Sequence, residues 1–304
     1  MTIKLKNTKQ VLFTLFFNLS ILQVFAQNID LKFQKFNQSQ GLSQVTISCI
    51  VQDKKNFIWI GTQDGLNKFD GYKFKVFKND RNDSLSLPNN SITGLFCDNK
   101  NRIWVATEKG LSILYLRNET FKKVDLPHSN INASNKPPSI KFISGSDKYL
   151  FVCTSNNQLF LFDLNNENFA TAYHVPNKNN STIIAVSFAK TGLALIALEN
   201  KEPLNYDPDT KTFSIQFQAA LKKFSSKNII GFLETKRSTW MVSETSLYKI
   251  DTNYNIQKTY ENLINRGDKI NTLIQDGSSD LWIGANSGLI KFEVEKENFY
   301  QYKS

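Results

Sequence analysis

The chain repeats itself about every 45 residues, and no other property limits its fold so tightly. Four tryptophans set the phase: Trp59, Trp104, Trp240 and Trp282. Their spacings are 45, 136 and 42 residues, the middle one close to three repeats. The two anchor positions without tryptophan fall at Phe151 and Leu195, each inside an apolar run. Further positions keep the register. Two residues after each anchor stands a small or modest side chain: Gly61, Ala106, Cys153, Ala197, Val242 and Gly284. Six residues after it come the turn formers Gly65, Gly110, Asn157, Ser246 and Gly288, with Lys201 as the exception. Six residues before it stand Asp53, Asp98, Glu234 and Asp276.

Each repeat reads as four short strands. In the first, Thr46 to Gln52, Phe57 to Gly61, Leu66 to Asp70 and Tyr72 to Lys78 are separated by the turn clusters Asp53–Asn56 and Gln63–Gly65 and by Gly71. The tryptophan strand is apolar on both faces, so both faces must be covered. Four antiparallel strands stacked between neighbours describe a blade of an all-β propeller. Six blades are expected at 45–78, 91–124, 139–173, 181–217, 228–260 and 270–303. The repeated acids are expected to cap turns, and the tryptophans to be inter-blade core. Leu31 to Phe36 alternates like a fourth strand, although blade six already has its own. It is therefore expected to be the outer strand of a closing seventh blade, in a ring that six blades leave incomplete.

The first 26 residues read as an export signal. Lys4, Lys6 and Lys9 precede the apolar stretch Val11 to Phe25, with cleavage expected after Ala26. The mature chain has no apolar run of membrane-spanning length and is expected in the periplasm. Its formal charge falls from +10 to +7 with the loss of those three lysines, and no basic block points to nucleic acid. Cys49, Cys97 and Cys153 form no CxxC pair, and only His128 and His174 supply imidazole, so neither metal nor cofactor is expected. The cysteines are read as small buried hydrophobes.

Gly41-Leu42-Ser43, followed by Ile58-Trp59-Ile60-Gly61-Thr62-Gln63-Asp64-Gly65-Leu66-Asn67-Lys68-Phe69-Asp70-Gly71, resembles the two-component regulator propeller repeat. Ile103 to Thr107 with Gly110-Leu111, and Leu281 to Ala285 with Gly288-Leu289, resemble it again. The resemblance implies a periplasmic sensor of a Bacteroidetes hybrid two-component system. Such a sensor binds an oligosaccharide and passes the signal to a histidine kinase. The partners implied are further propeller and kinase regions of a longer chain, and a homodimer is compatible with it. No kinase motif is present here, so no kinase activity is assigned to any residue.

The alternative is a secreted carbohydrate-active enzyme, a lyase or glycosidase, since propellers host both. No convergent acid, base and arginine set can be assembled, and no catalytic residue is named. For ligand binding, the turns between second and third strands and the blade-to-blade linkers share one end of a propeller. The candidates are Gln63, Asp64, Glu108 and Lys109 from the turns, and Arg81, Asn89, Asn90, His128 and Asn130 from the linkers.

Overall fold

The computed structural model describes residues 31, 33–127, 137–173, 181–189, 192–214, 222–224, 228–235 and 238–303. Two units are resolved, Met1–Phe36 and Asn37–Ser304. The second unit is an all-β propeller of six four-stranded antiparallel sheets, each with its strands in sequence order. Blade one contains Ile47–Gln52, Ile58–Thr62, Gly65–Phe69 and Phe74–Phe77. Blade two contains Ile92–Cys97, Arg102–Thr107, Gly110–Tyr115 and Thr120–Val124. Blade three contains Ile140–Gly145, Tyr149–Thr154, Leu159–Asp163 and Asn168–Tyr173. Blade four contains Ile183–Phe188, Ala194–Leu198, Leu204–Asp207 and Thr212–Ser214. Blade five contains Ile229–Glu234, Thr239–Ser243, Leu247–Ile250 and Ile256–Tyr260. Blade six contains Ile270–Gln275, Leu281–Ala285, Gly288–Glu293 and Asn298–Lys303.

The turn chemistry follows from the repeated acid. Asp53 Oδ1 accepts from the backbone N–H groups of Lys55 and Phe57 at 2.8 and 3.1 Å, and Oδ2 accepts from Trp59 Nε1 at 2.9 Å. Asp98 does the same for Lys100, Arg102 and Trp104, and Asp276 for Ser278, Asp280 and Trp282. One carboxylate therefore closes the turn between the first two strands and satisfies an indole N–H that burial would otherwise leave unpaired. In blade five, where Glu234 stands at this position, Trp240 Nε1 is buried and finds no acceptor among the described residues. At the opposite end, Gly65, Gly110 and Gly288 have φ of +119°, +108° and +140°, and Asn157 takes the same role at +67°.

The core lies between blades. The anchor side chain of blades one to five faces the next blade: Trp59 packs with Ile103 and Val105, Trp104 with Leu150 and Val152, and Trp240 with Leu281 and Ile283. Phe151 and Leu195 do the same in blades three and four. The small residue two positions on forms a socket. A Cβ added to Gly61 would lie 2.6 Å from Ile92 Cγ2, the opening residue of blade two. The equivalent isoleucines Ile140, Ile183, Ile229 and Ile270 share core clusters with Ala106, Cys153, Ala197 and Val242.

Acids in the turns between third and fourth strands clasp the preceding blade. Glu119 takes Lys68 at 2.9 Å and also Lys75. Glu167 takes Lys100 and Arg102, both at 2.7 Å. Asp209 takes Lys148 and the Tyr149 hydroxyl, and Glu297 takes Lys258 and the Tyr260 hydroxyl.

Residues 31 and 33–36 have no strand conformation, and they belong to the first unit. Within the propeller, blade six supplies its own fourth strand. Residues 1–26, read as an export signal, lie outside the described residues.

Candidate functional site at the linker end of blades five and six

The turns between second and third strands are stitched to the incoming linkers. Gly65 N donates to Asn90 O at 2.8 Å, Ile183 N to Asn157 Oδ1 at 2.7 Å, and Ile270 N to Glu244 O at 2.8 Å. These turns and linkers therefore do share one end of the propeller.

The described candidates from sequence divide into two groups there. Asp64, Asn89 and Asn90 close loops. Asp64 pairs with Lys78 at 2.6 Å and accepts from Asn90 Nδ2 at 3.4 Å. Asn90 Oδ1 accepts from Asn79 N at 2.7 Å, and Asn89 Oδ1 from Ser91 N at 3.1 Å. Gln63, Arg81, Glu108 and Lys109 are exposed. His128 and Asn130 lie outside the described residues, as does His174.

The structure adds a cavity that the sequence did not indicate. A hollow of about 660 Å³ opens between the Glu244–Ser246 turn of blade five and the linker running from Glu261 to Asp268, with Asn228 and Tyr248 also on its wall. Two of its acids are anchored. Glu244 pairs with Lys269 at 2.8 Å. Asp268 accepts from the N–H groups of Ser287 at 3.3 Å and Lys269 at 2.7 Å, and the bonds from Ser287 lead in holding its carboxyl below the usual range. Glu261 and Arg266 stand exposed on the linker, and Asn228 Oδ1 is buried without a donor among the described residues. The lining thus mixes carboxylates, one guanidinium and the amides of Asn228, Asn262 and Asn265. Such groups both donate and accept, which suits a hydroxyl-rich ligand. Spacing gave no sign of this hollow, because much of its lining comes from the linker at 261–268, where the repeated positions of the blades do not extend.

Other chemistry is sparsely supplied. Among the described residues no group of three His, Cys, Asp or Glu side chains could hold a metal ion. Burial pushes the Cys49 thiol up to about 11 and the Cys153 thiol up to about 12, so neither is a ready nucleophile.

Residues 41–64 and 86–109 match the two component regulator propeller family, so the chain carries repeats of that kind. A 71-residue stretch, 23% of this chain, is 44% identical to Histidine kinase P4 of Formosa agariphila and spans 5% of that protein. Two solved structures share the fold. One is the extracellular domain of a hybrid two-component system from B. thetaiotaomicron, with a TM-score of 0.68 at 21% identity, covering 89% of this chain and 36% of the other. A second such domain from B. thetaiotaomicron has a TM-score of 0.65 at 17% identity, covering 90% and 35%. The chain spans about a third of the length of these extracellular domains. Among the described residues no helix is long and apolar enough to cross a membrane.

Proposed function

We propose that this chain is the ligand-sensing propeller of a two-component sensor. It is exported to the periplasm, binds an oligosaccharide at the linker end of its blades, and passes the signal to kinase regions of a longer polypeptide. The observation that carries this reading is the hollow between Glu244–Ser246 and Glu261–Asp268, at the end where linkers converge. The regulator propeller repeats support the sensor role. The amide and carboxylate lining supports a hydroxyl-rich ligand, and the volume suits a few sugar rings. On this reading the chain binds without turning its ligand over.

Calorimetric titration of the mature chain against neutral and acidic oligosaccharides tests the proposal. Binding of one glycan class, weakened by Arg266→Ala and unaffected by Arg81→Ala, is expected. Steady release of new reducing ends or unsaturated products would favour the enzyme alternative.

A further inference from the structure

At the linker end of a blade, one backbone hydrogen bond closes the first two strands. It runs from the N–H just after the second strand to the carbonyl just before the opening isoleucine. Glu108 N donates to Ser91 O at 3.2 Å in blade two, and Ser155 N to Ser139 O at 2.9 Å in blade three. Glu199 N donates to Thr182 O at 2.9 Å in blade four, and Asn286 N to Lys269 O at 3.1 Å in blade six. In blade one the matching N–H, that of Gln63, donates to Gln44 Oε1 at 3.2 Å. Blade five departs from this. Its N–H belongs to Glu244 and its carbonyl to Asn228, and among the described residues neither group has a hydrogen-bond partner.

The backbone at Asn228 accounts for the departure. Its φ is +43°, whereas none of Ser91, Ser139, Thr182 and Lys269 has a positive φ. Asparagine tolerates this left-handed region, which breaks the extended run that brings the other four carbonyls to their N–H groups. Asn228 and Glu244 both stand on the wall of the hollow, where Asn228 Oδ1 is also buried without a donor among the described residues. One peptide N–H, one peptide carbonyl and one side-chain acceptor are thus left open at a single cavity, and unmet groups of this kind are costly. The charges beside them are already engaged. The Glu244 carboxylate holds Lys269, and Asp268 accepts from Ser287 and Lys269 N–H groups. Ile264 supplies an aliphatic wall and Tyr248 an aromatic one.

We infer that the hollow recognises an acetamido group, so that its ligand is an oligosaccharide of N-acetylated amino sugars. This rests on the hollow being the ligand site. An amide carries one acceptor and one donor, the complement of the pair that blade five leaves open. Its carbonyl accepts from Glu244 N, its N–H donates to Asn228, and its methyl group finds Ile264. The competing groups each fall short. A hydroxyl has one oxygen to serve an N–H and two acceptors, and no methyl. A carboxylate has no donor for Asn228, and an ammonium has no acceptor for Glu244 N–H.

Three β-1,4-linked trimers that differ only at C2 test the inference: those of N-acetylglucosamine, glucosamine and glucose. In calorimetric titration of the mature chain, the acetamido trimer should bind at least about tenfold more tightly than either of the others. Asn228→Gly keeps the positive φ and removes Oδ1, and should shrink that preference. Deuterium exchange at the Glu244 N–H should be fast in the free chain and slowed by the acetamido trimer alone. Equal or tighter binding of the glucose or glucosamine trimer, still weakened by Arg266→Ala, would overturn the acetamido assignment while leaving the hollow as the ligand site. Binding of the acetamido trimer without slower exchange at Glu244 would overturn it by placing the ligand elsewhere. Binding of none of the three would overturn it too, and other glycan classes would then decide whether the hollow binds sugar at all. If Asn228→Gly fails to fold, the three trimers and the Glu244 exchange still decide.

Discussion

Glu167 of blade three accepts from Arg102 of blade two at 2.7 Å, and the same carboxylate takes Lys100 at 2.7 Å. Hydrogen bonds from Lys100 first, and then Arg102, hold Glu167 below its ordinary range. Glu297 is lowered by Lys258 and Tyr260, and Asp209 by Lys148 and Tyr149. Burial raises Glu119, but Lys75 and Lys68 outweigh it and the net direction is down. Carboxylates lowered in the folded state contribute stability that is full above their unfolded pKa of about 4 and is lost as pH falls through the folded values. The urea midpoint should therefore hold steady from neutral pH to about pH 5 and decline below about pH 4. Glu167→Gln should make that decline shallower. A midpoint independent of pH down to 3 would remove the clasps from the account.

The socket at Gly61 makes a packing prediction. Gly61→Ala puts a methyl group 2.6 Å from both Ile92 Cγ2 and Cys49 Sγ. Overpacking of this kind costs about 1–3 kcal/mol. Ile92→Ala removes one of the two obstructions, so the double variant should be more stable than the sum of the single losses implies. Strict additivity in urea melts would mean that the two residues do not touch.

Asp53→Ala should be costly although the residue sits in a turn. It leaves the buried Trp59 indole N–H and two backbone N–H groups without their acceptor. The expected loss is about 2–4 kcal/mol, and Asp53→Asn should recover part of it. Direct replacement of the anchor, Trp59→Ala, should cost about 3–5 kcal/mol. A loss below about 1 kcal/mol for either alanine variant contradicts the packing described.

The architecture was legible in the sequence because each repeat states it again. Trp59, Gly61, Gly65 and Asp53 would be four weak signals alone, but recurrence in one register fixes strands, turns and the buried face together. The Asp–Trp spacing of six was visible, yet the indole bond was not, because spacing does not say that the carboxylate turns inward. The clasp acids Glu119, Glu167, Asp209 and Glu297 follow their anchors by 14 to 16 residues, a regularity that alone does not say which neighbouring cation each acid meets. Leu31 to Phe36 alternates like a strand, yet alternation does not supply a partner to pair with, and residues 31 and 33–36 have no strand conformation. The candidate site was least legible. Asp64 and Asn90 have the right residue types for sugar binding but spend them on each other and on Lys78 and Asn79. The hollow instead depends on a linker that belongs to one blade junction.

The thiols should be slow to react. Cys153 is buried and pushed up to about 12, and Cys49 to about 11. With a disulfide reagent at pH 8, both should react far more slowly than in the urea-unfolded chain. Rapid modification of Cys153 under native conditions would place it outside the core between blades three and four.

Hydrogen–deuterium exchange tests the central claim most directly. The mature chain would be compared with and without the oligosaccharide that binds best in titration. Protection gained on ligand binding should concentrate in residues 244–246 and 261–268, the two walls of the hollow. Protection confined to the turns at 63–64 and 108–109, or no oligosaccharide that protects any linker, would contradict the reading of this propeller as a sensor that takes its ligand between blades five and six.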